Sequence, residues 1–539
     1  MTVRGFGLRF DWSQSHGYGG PLEDVTSYLT DDDLTVTTGR DTSQAASSLP
    51  AGTLGFQITE KTQPGAFQFA PEQNSGTLAG LIVPGVSATF DTTLAGATTT
   101  LFTGVLDDYT YEPDARTLTG TVRDAWGLPS AEKLSTMVYQ GLRTGDLIHV
   151  VLNAIGWPLD KRSIDYGATV VPFWWEEGTD AATAIQKLVD SEGPPAIAYV
   201  EAGVFFFRDR HHRITLAAST TSQALFSSVY PPGSGPSTDF KILAGSFSYK
   251  HGRANLINTA TFSVDRRTIG DLAPVWSAQS GVGVPAGQTV QITITATDPF
   301  VNAQTPIPAT TFDDQGNPLT GDYVLAYGSV GSISLSRTAG QSLILTIVGG
   351  GVDAFFSFLQ IRANPIPVGS TVQVTASDSG SVASKGTLTW PNQLPWAGEY
   401  DALAIARTVV STYAVARPVL VFDIDATMTN GSGVAYMTQF VSRAISDRIT
   451  VRHDLVGLSE DFFIEKIELI VRGLGKRGTV LRITAEAVPP TGAANPFRFG
   501  VAGAGFDQGQ FDADGITNAS NAFRFDVAGH GFDQGVWVS

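Results

Sequence analysis

Short runs in which apolar and hydroxyl-bearing residues alternate recur along most of this chain, and they restrict it to β-architecture more than any other feature. Leu34-Thr-Val-Thr-Thr, Thr53-Leu-Gly-Phe-Gln-Ile and Ser87-Ala-Thr-Phe have the period of two that sorts side chains onto the two faces of a strand. Leu118-Thr-Gly-Thr-Val-Arg follows a turn at Glu112-Pro-Asp, which predicts a hairpin with Phe102-Thr-Gly-Val-Leu. Further strands are expected at Thr289-Val-Gln-Ile-Thr-Ile-Thr, Ser332-Ile-Ser-Leu-Ser, Leu343-Ile-Leu-Thr-Ile-Val and Thr371-Val-Gln-Val-Thr. Four more fall at 419–424, 449–451, 462–471 and 479–487. Gly and Pro, 58 and 28 of them, punctuate these runs and oppose long helices.

Helical periodicity is confined to three places. From Thr144-Gly-Asp, residues Leu147, Val150, Val151, Ala154 and Ile155 share a face until Gly156-Trp-Pro stops the helix. Thr179 or Asp180 caps a second helix carrying Ala184, Ile185, Leu188 and Val189, which ends near Gly193-Pro-Pro. A third is expected over Tyr400–Tyr413, with Leu403, Ala406 and Val410 on one side. A hairpin turns at Glu201-Ala-Gly.

The 539 residues, at roughly 150 per domain, allow about three to four domains. We expect a β-barrel or sandwich over 1–129 and an α+β unit over 130–213. A second β-rich domain or insertion follows over 214–399, with the Pro231-Pro-Gly-Ser-Gly-Pro-Ser stretch near its start as a loop or linker. A helix plus strands fill 400–490, and a Phe/Gly-rich tail spans 491–539. The fold class is mainly β with a smaller α+β part.

Composition excludes several kinds of chemistry. There are no cysteines, so disulfides, thiolate metal sites and cysteine nucleophiles are ruled out. The net charge of −17, with no basic run of five, disfavours tight binding to nucleic-acid phosphates. Arg4 and Arg9 lie where a signal peptide needs an apolar core, and no run reaches about 18 apolar residues, so no membrane span is expected.

No catalytic constellation emerges. His211-His212 is the one close histidine pair, and we expect a polar turn there rather than a joint metal site. Asp31-Asp-Asp lacks the alternating ligands of a calcium loop. Asp107-Asp108 is expected at a strand end or turn. Trp174-Trp175-Glu176-Glu177 admits a sugar-binding reading, but adjacent carboxylates do not face each other across a glycosidic bond, and core packing is the preferred reading. None of the nucleophile-elbow, zincin, phosphate-loop or dinucleotide motifs is present. No enzyme activity, metal, cofactor or catalytic residue is expected.

The tail repeats itself. Asn495-Pro-Phe-Arg-Phe-Gly-Val-Ala-Gly-Ala-Gly-Phe-Asp-Gln-Gly returns as Asn521-Ala-Phe-Arg-Phe-Asp-Val-Ala-Gly-His-Gly-Phe-Asp-Gln-Gly. Phe497, Arg498, Phe499, Phe506 and Asp507 of the first copy correspond to Phe523, Arg524, Phe525, Phe532 and Asp533 of the second. Each copy reads as a small hairpin and as a candidate docking element for a neighbouring subunit or partner, the second copy adding effective concentration.

The succession of local signatures resembles the minor tail proteins of long-tailed actinobacterial phages, most closely the tail-hub (tail-associated, baseplate hub-like) class. It runs through Glu23-Asp-Val-Thr-Ser-Tyr-Leu, Ala51-Gly-Thr-Leu-Gly-Phe, Pro71-Glu-Gln-Asn, Leu152-Asn-Ala-Ile-Gly-Trp-Pro, Arg162-Ser-Ile-Asp, Ser191-Glu-Gly and Phe206-Phe-Arg-Asp-Arg. It ends with Ser446-Asp-Arg-Ile-Thr-Val and Asp461-Phe-Phe-Ile-Glu-Lys-Ile-Glu. These cover about residues 20 to 490, and the duplicated tail lies outside the pattern.

The resemblance implies a non-enzymatic virion protein at the distal end of the tail, assembled in the host cytoplasm. Its two tube-like β domains are separated by the α+β unit, and it forms a homo-oligomer, a trimer in hubs of this type. Implied partners are the distal tail ring protein, the tape-measure protein and other minor tail proteins, with DNA passing through unbound. An acidic lumen that repels phosphates is expected from the net charge. The rival readings are a distal-tail ring protein, a receptor- or carbohydrate-binding tail protein carried by 214–400, and a cell-wall hydrolase, for which no nucleophile or facing carboxylates are found.

Overall fold

The structure is a computed structural model that describes residues 4–12, 23–30, 34–40, 52–60, 69–70, 81–94, 96–124, 126, 132–228, 239–315, 318–390, 393–472 and 478–489. Among the described residues strand accounts for 48% and helix for 17%, which makes the fold mainly β.

One strand organises the largest sheet. Leu458–Val471 is a strand rich in Phe, Ile, Leu and Val, interrupted by Ser459, Lys466 and four acidic residues, and a bulge between Ile464 and Lys466 lets it bend. On one side it pairs along most of its length with Thr479–Ala487. Its other side is divided. The first half takes Arg448–His453, with Arg448 opposite Phe463, and the second half takes Leu34–Gly39, with Leu34 opposite Val471.

From Leu34–Gly39 the sheet continues through Thr53–Thr59, Thr117–Asp124, Ala97–Glu112, Ser87–Leu94 and Arg4–Phe10. In the other direction it runs through Arg448–His453 to Leu225–Ser227 and Asp239–Lys241. Val419–Asp425 pairs with Thr479–Ala487 and carries Ser248–Lys250 at its edge. Strands separated by more than 400 residues therefore share one 14-stranded sheet and one core. The alternation read from the sequence is realised directly: Thr53–Thr59 points Leu54, Phe56 and Ile58 inward and its other residues outward.

The Phe102 and Leu118 runs form the expected hairpin, with Leu106 opposite Val122 and Glu112 opposite Thr117. Asp107 and Asp108 are not at its end. They sit mid-strand at a bulge between Leu106 and Asp108, where the extra residue turns both carboxylates to solvent and Asp107 meets Arg123 at 2.7 Å.

The α+β part packs helices Thr144–Ala154 and Ala181–Glu192 against the hairpin Ile197–Glu201/Val204–Arg208. Asp180 is the cap of the second helix, accepting the Thr183 amide at 2.8 Å. Gly193, at φ 73°, ends it. Ala202 and Gly203, both at positive φ, make the tight turn expected at 201–203. The first helix is rotated from its expected face: Leu147, Ile148, Val151 and Leu152 are buried, while Ala154 is exposed. Apolar residues surround most of that helix, so its neighbours choose the buried side.

Residues 259–377 form separate sheets. Thr259–Arg267 and Val368–Ser377 make a two-stranded ribbon, and the helix Glu399–Tyr413 lays Ala402, Ile405, Ala406 and Val409 on it. Between the ribbon strands hangs a sandwich: Thr289–Thr295, Ser342–Gly349 and Val330–Arg337 in one sheet, packed on a second built around Ala354–Pro365. Among the described residues, no helix is long and apolar enough to cross a membrane.

Candidate functional site

The residues singled out in the sequence do not converge. Phe497, Arg498, Phe499, Phe506 and Asp507, with Phe523, Arg524, Phe525, Phe532 and Asp533, lie outside the described residues, as do Asp31-Asp-Asp and the proline-rich stretch at 231–237.

The Trp-Trp-Glu-Glu run holds parts of the chain together. Trp174 is fully buried in the α+β core. Trp175 packs edge-on against Trp396 at 5.1 Å, carries the Arg267 guanidinium over its ring at 5.0 Å, and donates to Gln341 at 3.3 Å. Glu176 turns inward to Lys187 at 3.0 Å, and Glu177 accepts from Ser342 on the sandwich. Neighbouring carboxylates thus leave in different directions, each with its own partner.

His212 is not part of a solvated turn. It is buried, and its Nδ1 lies 2.7 Å from Asp165. Burial would raise the Asp165 carboxyl, but the hydrogen bond to His212 and the electrostatic pull of His212 and Arg208 outweigh it and hold the group below its usual value. The physical reason is the helix Ile214 sits in, His212–Thr215, which turns this ring back onto the strand-following segment at 165.

The densest electrostatic feature is a buried junction that sequence reading missed. Glu465 of the long strand takes Arg213 at 2.6 Å and stands 3.7 Å from Arg40. Arg40 comes from the end of Leu34–Gly39 and also donates to the carbonyls of Pro195 and Ala196 at 3.2 and 3.3 Å. Arg417, after the third long helix, pairs with Glu486 at 3.1 Å and lies over the Tyr413 ring at 5.5 Å. Arg213 also donates to Ser446 at 3.2 Å and covers the Phe463 ring at 4.7 Å. All five charged residues are buried.

Burial pushes Glu486 up from its ordinary value, and neighbouring Glu465 adds to this against the pull of Arg417. Tyr413 is pushed up to about 12, first by burial and then by Glu486. Buried ions in such a knot contribute little net stability, but each is costly to orphan. The junction therefore acts as a latch specifying how the first β strands, the α+β unit and the last strands meet. The signal available beforehand was an acidic residue inside an otherwise apolar strand: Glu465 in Phe462-Phe-Ile-Glu-Lys-Ile, and Glu486 between two alanines.

Near the junction, Glu201 is pushed up to about 7 by burial and by Asp447, with Arg208 opposing. Among the described residues, no group of three or more His, Cys, Asp or Glu is placed to hold a metal ion. The arrangement orients chain segments, Glu465 pairing with Arg213 and Glu486 with Arg417.

No family model matches the sequence, and no curated protein matches it. Solved structures similar to the chain include a tail protein from Neisseria meningitidis MC58, 10% identical over 90% of this chain and 97% of that one, with a TM-score of 0.44. A 43 kDa tail protein of prophage MuSo2 from Shewanella oneidensis is 11% identical, covering 89% and 98%, with a TM-score of 0.45. The prophage tail protein gp18 from Listeria monocytogenes EGD-e is 7% identical, covering 90% and 96%, with a TM-score of 0.40.

Proposed function

We propose that this chain is a structural subunit of a long-tailed phage tail, acting as the hub at the distal tip as a homotrimer. It links the tail tube and distal tail ring to tip proteins and encloses the tape-measure end and the DNA exit channel. The observation that carries this reading is the divided strand Leu458–Val471. Through it, β strands from the two ends of the described chain are bonded into one sheet, with the α+β part latched at the seam by Arg40, Arg213 and Glu465. A subunit built this way offers two β units in fixed relation, and three such subunits close a ring with six of them. The sequence motifs that resemble the tail-hub class support the same reading.

The reading is tested by the mass of the assembled protein and by cryo-EM of intact particles. A trimer beneath the tail tube supports it. A hexamer favours the distal-tail ring protein instead, and a monomer absent from particles ends the proposal. In the same map, a channel wall lined mainly by Lys and Arg would rule out the acidic, phosphate-repelling lumen.

A further inference from the structure

The sandwich between the ribbon strands carries a feature that tail assembly does not require. Tyr327 and Phe355 lie side by side on the outer face of one sheet, ring centroids 5.8 Å apart and planes only 12° from parallel. Phe356, the next residue, points the other way into the core, so the outward direction of Phe355 follows from strand alternation. Tyr327 is 60% exposed, a large apolar area left in water.

The rings are held flat by glycine. A Cβ on Gly281 would meet the Phe355 ring at 2.2 Å, so this position must lack a side chain for the ring to lie along the sheet. Gly283, directly opposite Phe355 in register, faces open space. The result is a shelf two rings long with nothing standing above it on the glycine side.

The surroundings are poor in charge, with one exposed carboxylate, Asp353, two residues from Phe355 and accepting from the Ala286 amide at 2.8 Å. Residues 273–349 contain no Lys, Glu or His, and their charges are Asp298, Asp313, Asp314, Asp322 and Arg337. Asp322 is buried against Arg362 at 2.5 Å, Asp298 lies 3.9 Å from Arg267, and Arg337 is spent on backbone carbonyls. The other outer face of the same sandwich presents Gln291, Thr293, Ser334 and Thr346, again hydrogen-bonding and uncharged. Five charged residues in the 77 of 273–349 leave this stretch poor in charge beside a chain in which 16% of residues are charged.

We infer that the Tyr327–Phe355 shelf binds a neutral polysaccharide, one sugar ring stacking its C–H face on the aromatic pair. Flat rings on a shallow surface match a planar apolar face with hydroxyls around its rim, which is what a hexose unit offers. An anionic glycan gains nothing here, because the charged group two residues from Phe355 is the Asp353 carboxylate.

The test uses the full chain in affinity electrophoresis through gels containing a β-glucan, a mannan or a galactan, with polygalacturonate as the anionic control. Retardation by at least one neutral polymer is expected. Tyr327→Ala should weaken it about tenfold while Tyr327→Phe keeps it. Gly283→Val, placed in open space beside Phe355, should block binding with the unfolding midpoint unchanged. Retardation by polygalacturonate alone, by none of the neutral polymers, or equally for wild type and Tyr327→Ala overturns the inference. Particle assembly is read separately, so the loss of this inference leaves the hub reading standing, and the reverse also holds.

Discussion

Glu465 faces two guanidinium groups from distant parts of the chain, so its charge matters more than its volume. Glu465→Gln keeps the shape and orphans Arg213 and Arg40 in a buried site; we expect a loss of about 3–5 kcal/mol in urea unfolding. Adding Arg213→Met should recover part of that loss, and a double variant as unstable as the sum of the singles would show that the two residues do not interact. Glu201 gives a pH signature of the opposite kind to an ordinary ion pair. The folded protein holds its proton more tightly than the unfolded chain does, because burial and Asp447 disfavour the ionised form. The stabilisation is therefore complete below the usual carboxyl range and is lost as pH climbs through about 7. Asp124, pushed up to about 7 by burial that outweighs the opposing pull of the Gly52 and Trp126 amides, acts in the same direction. Thermal unfolding midpoints should be higher near pH 5 than near pH 8, and Glu201→Gln should flatten part of that slope.

Among the elements, the second helix shows how local chemistry and packing combine. Asp180 holds its first turn, and Asp180→Ala should cost about 1 kcal/mol in thermal unfolding. At its other end Gly193 is needed twice over, for its φ of 73° and because a Cβ would meet Ile405 at 2.5 Å. Gly39 plays the comparable part in the seam. At φ 138° and with a Cβ position 2.3 Å from Lys466 Cα, it lets Leu34–Gly39 lie against the long strand. Gly39→Ala should speed amide hydrogen exchange in 34–39 and 466–471 before any global unfolding; unchanged exchange there would count against this account. The strands and the Asp180 cap were legible in the sequence because alternation and capping are local. The bulge at Asp107-Asp108 and the buried face of the first helix were not. Both depend on which surface arrives opposite, and a run such as Ile148-His-Val-Val-Leu permits more than one answer.

For the whole molecule, the proposed role makes assembly the property to measure. Truncation before Thr491 should leave the unfolding midpoint of the described body unchanged and reduce retention of tail partners in pull-downs; full retention would remove the docking role proposed for the Phe497–Asp507 and Phe523–Asp533 repeats. The sequence by itself determined the mainly β class, the positions of most strands and helices, and the absence of thiol chemistry, because each follows from residue type or from spacings of two to four residues. Only the tertiary structure decided that strands more than 400 residues apart share a sheet, that Arg40, Arg213 and Glu465 meet, and that Tyr327 lies beside Phe355. Those contacts are set by chain closure over long loops, where the cost of closing grows slowly with length and many partners compete at similar local preference.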